Sequence, residues 1–308
     1  MNILILGAAG FIGTNLALKL KENIDDRITL VDKSIDYFVP DVMGDNVELV
    51  SASLDCGDDF GYLKNQEVVY HLVSTTAPTT SNQHIPTELQ DNVIFSSLLF
   101  EACVKYGVKK IVFISSGGTV YGKESNCPIS EDTPLKPISS YGLQKVAIEN
   151  LLYLYRHMYG IDYRIIRLSN PYGPYQRPNG MLGAVSTFTY RALKKESIKV
   201  YGDGTVIRDF IYIDDAIRGI LNIVYKTGSK RTYNLGSGKG ASIKEIIETV
   251  KKVVGNTGVE YSENRNVDVP VNYLDISRYE KDYGRLNPIS LSEGIRKTSE
   301  FMRSYYKL

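Results

Sequence analysis

Asn2-Ile-Leu-Ile-Leu-Gly7-Ala-Ala-Gly10-Phe-Ile-Gly13-Thr-Asn-Leu-Ala-Leu-Lys-Leu20 decides the fold. The unbroken apolar run Ile3–Leu6 reads as a strand buried on both faces. From Phe11 to Lys21 the apolar residues recur at helical spacing. Between the two, glycines stand at G-x-x-G-x-x-G. One glycine allows the tight bend, one lets the backbone approach a pyrophosphate, and one lets helix pack on strand. The helix N-terminus then offers amide donors and a positive dipole end. This predicts a dinucleotide cradle at Gly7, Gly10 and Gly13. Asp32 closes the next apolar run, 19 residues after Gly13. A carboxylate there accepts from the adenosine ribose hydroxyls and repels a 2′-phosphate, so the expected cofactor is NAD.

The same texture continues outward. Apolar runs rich in Ile, Leu and Val recur at Ile28–Val31, Val47–Val50, Glu67–Leu72, Lys110–Ile114 and Tyr163–Leu168, with helical patterns at Thr87–Tyr106 and Ser140–Tyr159. Parallel strands need crossovers of this kind, so the reading is α/β: a Rossmann-type, doubly wound parallel sheet. After Leu168 the proline- and glycine-bearing stretch Ser169–Gly180 marks a domain crossing. A smaller α/β domain is expected to follow, with helices at Leu182–Lys195, Asp214–Tyr225, Ser242–Val254 and Ser290–Tyr305. Ser242 and Glu245 form a capping box. The expected domains are 1–168, binding the dinucleotide, and 169–308, binding substrate. Elements within 205–240 are expected to rejoin the first.

Composition narrows the classes. The 308 residues fit about two domains, and 36 basic against 35 acidic side chains give a net charge of +1. Such a balance exerts no general pull on nucleic acid or anionic membrane. No apolar run is long enough to span a bilayer. The chain opens on a strand with no charged n-region, so no leader is expected. Cys56, Cys103 and Cys127 are scattered, with no Cys-x-x-Cys and few histidines. That predicts no metal site, and free thiols in a reducing cytoplasm.

Tyr141-Gly-Leu-Gln-Lys145 puts a phenol and an ammonium one turn apart on one helix face. A phenol is a poor base at neutral pH. A neighbouring cation, joined by the positive charge of an oxidised nicotinamide, favours its phenolate. Tyr141 is therefore the expected base and Lys145 its activator.

With these residues together the chain resembles an extended short-chain dehydrogenase/reductase of the NAD-dependent sugar epimerase/dehydratase family. It is most similar to the members that interconvert UDP-glucose and UDP-galactose. The marks are Gly7–Gly13, Asp32, His71-Leu72, Asn92, Ser115-Ser116-Gly-Gly-Thr119-Val-Tyr121-Gly122, Tyr141 with Lys145, Asn170-Pro171-Tyr-Gly173, Gly202–Asp215 around Arg208, and Arg265-Asn-Val-Asp268. The resemblance implies inversion at C4 of a nucleotide hexose through a transient 4-keto sugar. It places Phe11 and Ile12 on the pyrophosphate turn and Leu72, Val73 and Ser74 beside the nicotinamide. Asn92, Ser115 and Leu168 fall near the cofactor, and Lys145 holds the nicotinamide ribose. Asn170 opens the sugar-nucleotide site, with Asp268 also in it, and Arg208 and Arg265 clamp the diphosphate, which suits the planar guanidinium.

Departures from the family pattern matter too. Ser53, before Leu54, stands where an Asp often holds the adenine amine. Thr76 replaces a frequent lysine. Gly117 replaces the Ser or Thr that bonds the reacting hydroxyl, leaving Ser116 or Thr119 to substitute, with Thr119 favoured. A dehydratase or decarboxylase would want an Asp-Glu pair where Gly118 and Thr119 stand. An NADPH-using reductase conflicts with Asp32, and a non-catalytic NAD sensor would have no use for Tyr141 and Lys145. By the same resemblance Asn272 walls the pocket beside the sugar C2 substituent, where a small residue admits an N-acetyl group. Its neighbour Tyr273 would close that space if the register slipped by one. Finally, the Tyr141 helix carries two apolar stripes, Ala147/Leu151/Leu154/Met158 and Ile148/Leu152/Tyr155/Tyr159. One packs on the sheet, and the other, with Leu98, Leu99, Ala102 and Cys103 of the preceding helix, predicts a homodimer.

Overall fold

The protein was analysed as a computed structural model that describes residues 1–123, 126–178, 183–263 and 269–308. In chain order the first part holds β1 (Asn2–Leu6), α1 (Phe11–Leu20), β2 (Arg27–Asp32), β3 (Val47–Ser51), β4 (Val68–His71), α2 (Ile85–Leu89), α3 (Phe95–Lys105), β5 (Lys110–Ser116), α4 (Ser140–Tyr159) and β6 (Asp162–Leu168). The second holds β7 (Asn170–Tyr172), α5 (Ala184–Leu193), β8 (Ile198–Tyr201), β9 (Ile207–Tyr212), α6 (Ile213–Tyr225), β10 (Thr232–Leu235), β11 (Gly240–Ser242), α7 (Ile243–Val254), β12 (Val259–Ser262), β13 (Val271–Asn272), α8 (Ser277–Tyr283) and α9 (Leu291–Tyr306).

The chain divides into two compact units: Met1–Val120 with Pro137–Ile166 and Ser229–Thr232, and Tyr121–Lys136 with Arg167–Gly228 and Tyr233–Leu308. A single cut at 168 is thus too simple, because Tyr121–Lys136 belongs with the second unit. Hydrogen bonds within that unit explain it. Tyr121 Oη donates to Asn234 Oδ1 at 2.6 Å, and Arg167 donates to Tyr121 Oη and to the Glu131 carbonyl, each at 3.1 Å.

The large sheet runs β10-β6-β5-β4-β1-β2-β3. Every pair from β5 to β3 is parallel, in the register Ile3↔Ile28, Ile3↔Val68, Ile28↔Val47 and Val68↔Lys110. Strand order reverses between β1 and β4, and open α/β sheets bind ligands at such a switch point. The apolar runs are buried as their continuity predicts: Ile3 to Leu6 and Ile111 to Phe113 are all 0% exposed. Fully burying each such side chain contributes roughly 1.5–3 kcal/mol. β10, from within 205–240, is the element that rejoins the sheet.

The helix expected over Thr87–Tyr106 is instead α2, a π turn at Gln90–Ile94, and α3. The cause lies in Asn92 and Ser96. Asn92 Nδ2 donates to the Glu88 carbonyl and to Thr75 Oγ1, while Ser96 Oγ donates to the Asn92 carbonyl at 2.5 Å. Side chains inserted into the helical ladder widen a turn in this way. On α4 the expected stripe Ile148/Leu152/Tyr155/Tyr159 packs its first three members in the core beside Leu99, Phe100 and Cys103, while Tyr159 is 53% exposed. From the other, Leu154 and Met158 are 45% and 55% exposed. Leu99 and Cys103 therefore serve this chain's own core.

In the second unit β9 is central, flanked by β11 and β13, and β7 also pairs with it. The parallel register Asn272↔Arg208 and the antiparallel register Gly240↔Asp209 assign the faces of that sheet. The capping box on α7 is present: Glu245 N donates to Ser242 Oγ at 3.1 Å and Ser242 N to Glu245 Oε2 at 2.7 Å.

Candidate active site

The glycine turn leaves β1 with Gly7 N and Ala8 N both donating to the Val31 carbonyl, at 2.9 and 3.2 Å. Gly7 has φ +77°, and a Cβ there would lie 3.1 Å from the main chain of Leu72 and Val73. A Cβ on Gly13 would come within 2.6 Å of Ala8 Cα and the Gly7 carbonyl, so glycine alone lets α1 start against β1. Gly10 is the N-cap of α1 and gives no side-chain bond, and no acid stands in the first turn. The first turn of α1 therefore has no side-chain cap from Gly10 and no acid of its own to offset the helix dipole. Phe11 and Ile12 form that turn. Asp32 is bound into the same loop: its carboxylate accepts from Ala9 N at 2.9 Å and Lys33 N at 2.8 Å.

Past β3, Ser53 Oγ donates to Asp55 Oδ1 at 3.1 Å, and Leu54 sits at φ +52° with its amide on Asp58 Oδ2 at 3.0 Å. A cleft lined by Ser51, Ser53, Asp58, Asp59 and Tyr62 opens there. Beyond the expected Ser53 and Leu54, the Asp58 carboxylate organises the turn, accepting from Leu54 N at 3.0 Å and Phe60 N at 2.9 Å. Its signal was the acidic run Asp55, Asp58, Asp59.

α4 begins where Ser139 Oγ accepts from Gly142 N at 3.2 Å. A Cβ on Gly142 would lie 2.8 Å from the Thr119 carbonyl, so this glycine lets the first turn of the helix meet the 116–120 loop. Tyr141 is half-buried, and the Ser116 side chain lies near enough to its hydroxyl to favour the phenolate. Lys145 is buried, with Nζ donating to the Ile114 carbonyl at 3.2 Å and lying 5.5 Å from the centre of the Tyr141 ring. Ser116 is the neighbour whose side chain acts on the phenol, while Thr119 Oγ1 is buried with no hydrogen-bond partner among the described residues. Desolvation pushes the phenol up to about 12, and the Ser116 side chain opposes that rise. Burial likewise brings Lys145 down to about 8, with Glu149 opposing that drop.

Behind this pair stands His71, at the end of β4. Burial and the Lys145 charge hold it neutral, down at about 3, and its Nε2 meets Ser96 Oγ at 2.8 Å. Leu72 N continues the strand pairing onto the Leu6 carbonyl at 3.0 Å, which sets Leu72 and Val73 against the glycine turn. Ser74 Oγ donates to the Thr76 carbonyl at 2.9 Å. Asn92 binds the loop after β4, its Oδ1 accepting from Thr75 N at 2.9 Å. Thr76 Oγ1 donates to Gln144 Oε1 at 2.9 Å, and Gln144 Nε2 donates to the buried Glu88 at 3.2 Å. This Thr76–Gln144–Glu88 chain, which ties the loop to the helix turn between Tyr141 and Lys145, was not foreseen from sequence. Among the described residues no group of His, Cys, Asp and Glu is placed to hold a metal ion, and no helix is long and apolar enough to cross a membrane.

In the second unit Leu168 is buried in β6, and Asn170 Nδ2 donates to the Asp209 carbonyl at 2.8 Å. Arg208 donates to the Val269 carbonyl at 2.6 Å. Asn272, 2% exposed, pairs with Arg208, and partners in register share a sheet face. Tyr273 packs where a Cβ on Gly240 would lie, the Asp209 side of the sheet. The register therefore puts Asn272, and not Tyr273, on the Arg208 face. Arg265 and Asp268 lie outside the described residues.

Residues 3–236 match the NAD dependent epimerase/dehydratase family. The chain is 35% identical over 308 residues to a putative UDP-glucose 4-epimerase of Methanocaldococcus jannaschii, covering 98% of each chain. A UDP-glucose 4-epimerase from Thermotoga maritima, solved with UDP-glucose, superposes with a TM-score of 0.90 at 32% identity, covering 99% of this chain and 100% of that one. A UDP-glucuronic acid 4-epimerase from Bacillus cereus, solved with UDP-glucuronic acid and NAD, gives 0.89 at 28% identity, with coverages of 99% and 100%. The chain belongs to the NAD-dependent epimerase/dehydratase family.

Proposed function

We propose that the protein is an NAD-dependent 4-epimerase of a UDP-hexose, with UDP-glucose and UDP-galactose as its pair. The observation that carries the reading is the Ser116–Tyr141–Lys145 arrangement, in the same unit as the glycine turn. The uncapped turn at Gly7, Gly10 and Gly13 fits a pyrophosphate, Asp32 fits an unphosphorylated ribose, and Lys145 would hold the nicotinamide ribose. Bound NAD would supply a two-electron acceptor that returns the same electrons, so the sugar leaves at its original oxidation level. Tyr141 takes the proton of the sugar 4-hydroxyl and gives it back. Its affinity for that proton falls when the positive charge of the oxidised nicotinamide joins that of Lys145. Ser116 holds the Tyr141 oxygen and the hydroxyl it exchanges with. Arg208 holds the diphosphate bidentately while the hexose turns over. Elimination lacks an acid, because Gly118 and Thr119 stand where a dehydratase would place carboxylates.

The test is incubation of purified protein with UDP-glucose, UDP-galactose, their N-acetyl analogues and UDP-glucuronate, without added reductant, read by NMR. Mass spectrometry of the nucleotide released from the same protein identifies the cofactor. Interconversion of the C4 epimers with NAD(H) released supports the reading. A dehydrated product, or NADP as the dominant nucleotide, overturns it. Run on Asn272→Tyr, the same panel should lower kcat/KM for the N-acetyl sugars about tenfold or more relative to UDP-glucose, from lost space alone. An unchanged ratio removes Asn272 as the gate.

The exposed Leu154 and Met158 stripe of α4 supports the proposal that two copies pair. Light scattering at micromolar protein should find twice the 34.5 kDa chain, and a monomer at that concentration would refute it.

A further inference from the structure

Glu149 is a buried carboxylate that the proton transfer itself does not use. It is 5% exposed, and the hydroxyl of Ser115, a residue 3% exposed, donates to its Oε1 at 2.5 Å. An ionised carboxylate in such a place needs a counter-charge nearby as well as a donor. Tyr141, Lys145 and Glu149 stand at i, i+4 and i+8, so they stack along one face of α4. β5 meets that stack with two successive residues: the Ile114 carbonyl takes Lys145 Nζ and the Ser115 hydroxyl takes Glu149. We propose that Glu149 is a positioning residue, whose charge keeps Lys145 a cation in a desolvated site and so keeps Tyr141 able to act as a base.

The surroundings leave that task to Glu149. Lys145 faces the Phe113 ring from β5 at 4.8 Å and the Tyr141 ring from α4 at 5.5 Å. From β4 it faces His71, which is neutral and supplies no negative charge. Burial works against the ammonium, and Glu149 is the group that favours it. The sign follows. A cation favoured by Glu149 is present below the Lys145 pKa and lost as pH rises through it. Removing the carboxylate brings that loss to lower pH. Tyr141, deprived of its cation, then ionises at higher pH, so the active range narrows from both sides.

This rests on Tyr141 and Lys145 being the proton-transfer pair, and the experiment separates the two claims. The pH dependence of kcat is measured for the wild type, Glu149→Gln, Glu149→Asp and Ser115→Ala. Tyrosine ionisation is followed at 295 nm in the NAD-loaded proteins, each against the same protein carrying Tyr141→Phe. In Glu149→Gln the alkaline limb should fall by about one pH unit or more, the Tyr141 ionisation should rise, and kcat near pH 8 should drop about tenfold or more. Glu149→Asp, which keeps the charge but withdraws it, should move the limb the same way by less. Ser115→Ala, which keeps the carboxylate and loses its donor, should move the limb by less than Glu149→Gln does. A Glu149→Gln profile that superposes on the wild type overturns the proposal, as does an equal shift in Ser115→Ala. If Glu149→Gln does not fold, an unmoved limb in Glu149→Asp overturns it. A fully active Tyr141→Phe would instead strike the proton-transfer reading on which the proposal stands.

Discussion

Tyr141→Phe should keep its fold and its bound dinucleotide and lose about 10²–10⁴ of its turnover, the usual cost of removing a general base. The substitution is close to isosteric. The ring remains half-buried in the first turn of α4, and Lys145 keeps an aromatic face 5.5 Å away. What disappears is the hydroxyl beside the Ser116 side chain. An unmade hydrogen bond there costs on the order of 1 kcal/mol of stability, far less than the change in rate. The comparison to make is kcat for interconversion of the UDP-sugars beside the melting temperature and the nucleotide content of the same preparations. Loss of rate with melting and nucleotide retained identifies the base. Retention of more than a tenth of the wild-type rate would show that another group takes the proton.

The alternation of apolar runs and the glycine turn were legible because each rests on local rules. A strand buried on both faces must be continuously apolar, and a helix entering a strand at Gly13 leaves no room for a Cβ. The Tyr141–Lys145 pair was legible for the same reason, since i,i+4 spacing alone puts both on one face. What sequence could not supply were relations set by contacts remote along the chain. The choice between Ser116 and Thr119 depends on how the 116–120 loop turns against Gly142. The break of one long helix into α2, a π turn and α3 depends on Asn92 binding Thr75, 17 residues earlier in the chain. The grouping of Tyr121–Lys136 with the second unit depends on Asn234, which lies beyond any sequence window. Glu149 was open to inspection as the next turn after Lys145. Only its burial and the Ser115 hydroxyl 2.5 Å away set it apart from a solvated side chain.

The largest stability effect is expected at Asp209, beside Arg208 on β9. It is 0% exposed and accepts from Ser237 N and Ser237 Oγ at 2.7 Å each, and from Gly238 N and Leu274 N at 3.3 Å each. Burial pushes its carboxyl up, and these donors hold it back. The carboxylate also fills the space that a Cβ on Gly236 would take, so the turn before β11 is built around it. Asp209→Ala strands buried amides with no acceptor, each costing about 1–3 kcal/mol, and the loss of a buried charge with its partners costs about 3–5 kcal/mol in all. At about 2–4 °C per kcal/mol, the melting temperature should fall by roughly 10 °C. The consequence for the site follows from the register. Asp209 anchors the strand whose neighbouring residue, Arg208, pairs with Asn272. A loosened β9 should weaken the grip on the substrate diphosphate more than it slows proton transfer, so KM should rise several-fold at 25 °C while kcat falls less. Asp209→Asn keeps the shape but turns an NH2 toward donors, so its melting temperature should lie between those of alanine and wild type. Melting of Asp209→Ala within about 1 °C of wild type would mean that the carboxylate does not hold the strand. A fall in kcat with KM unchanged would mean that β9 governs the chemistry and not the grip.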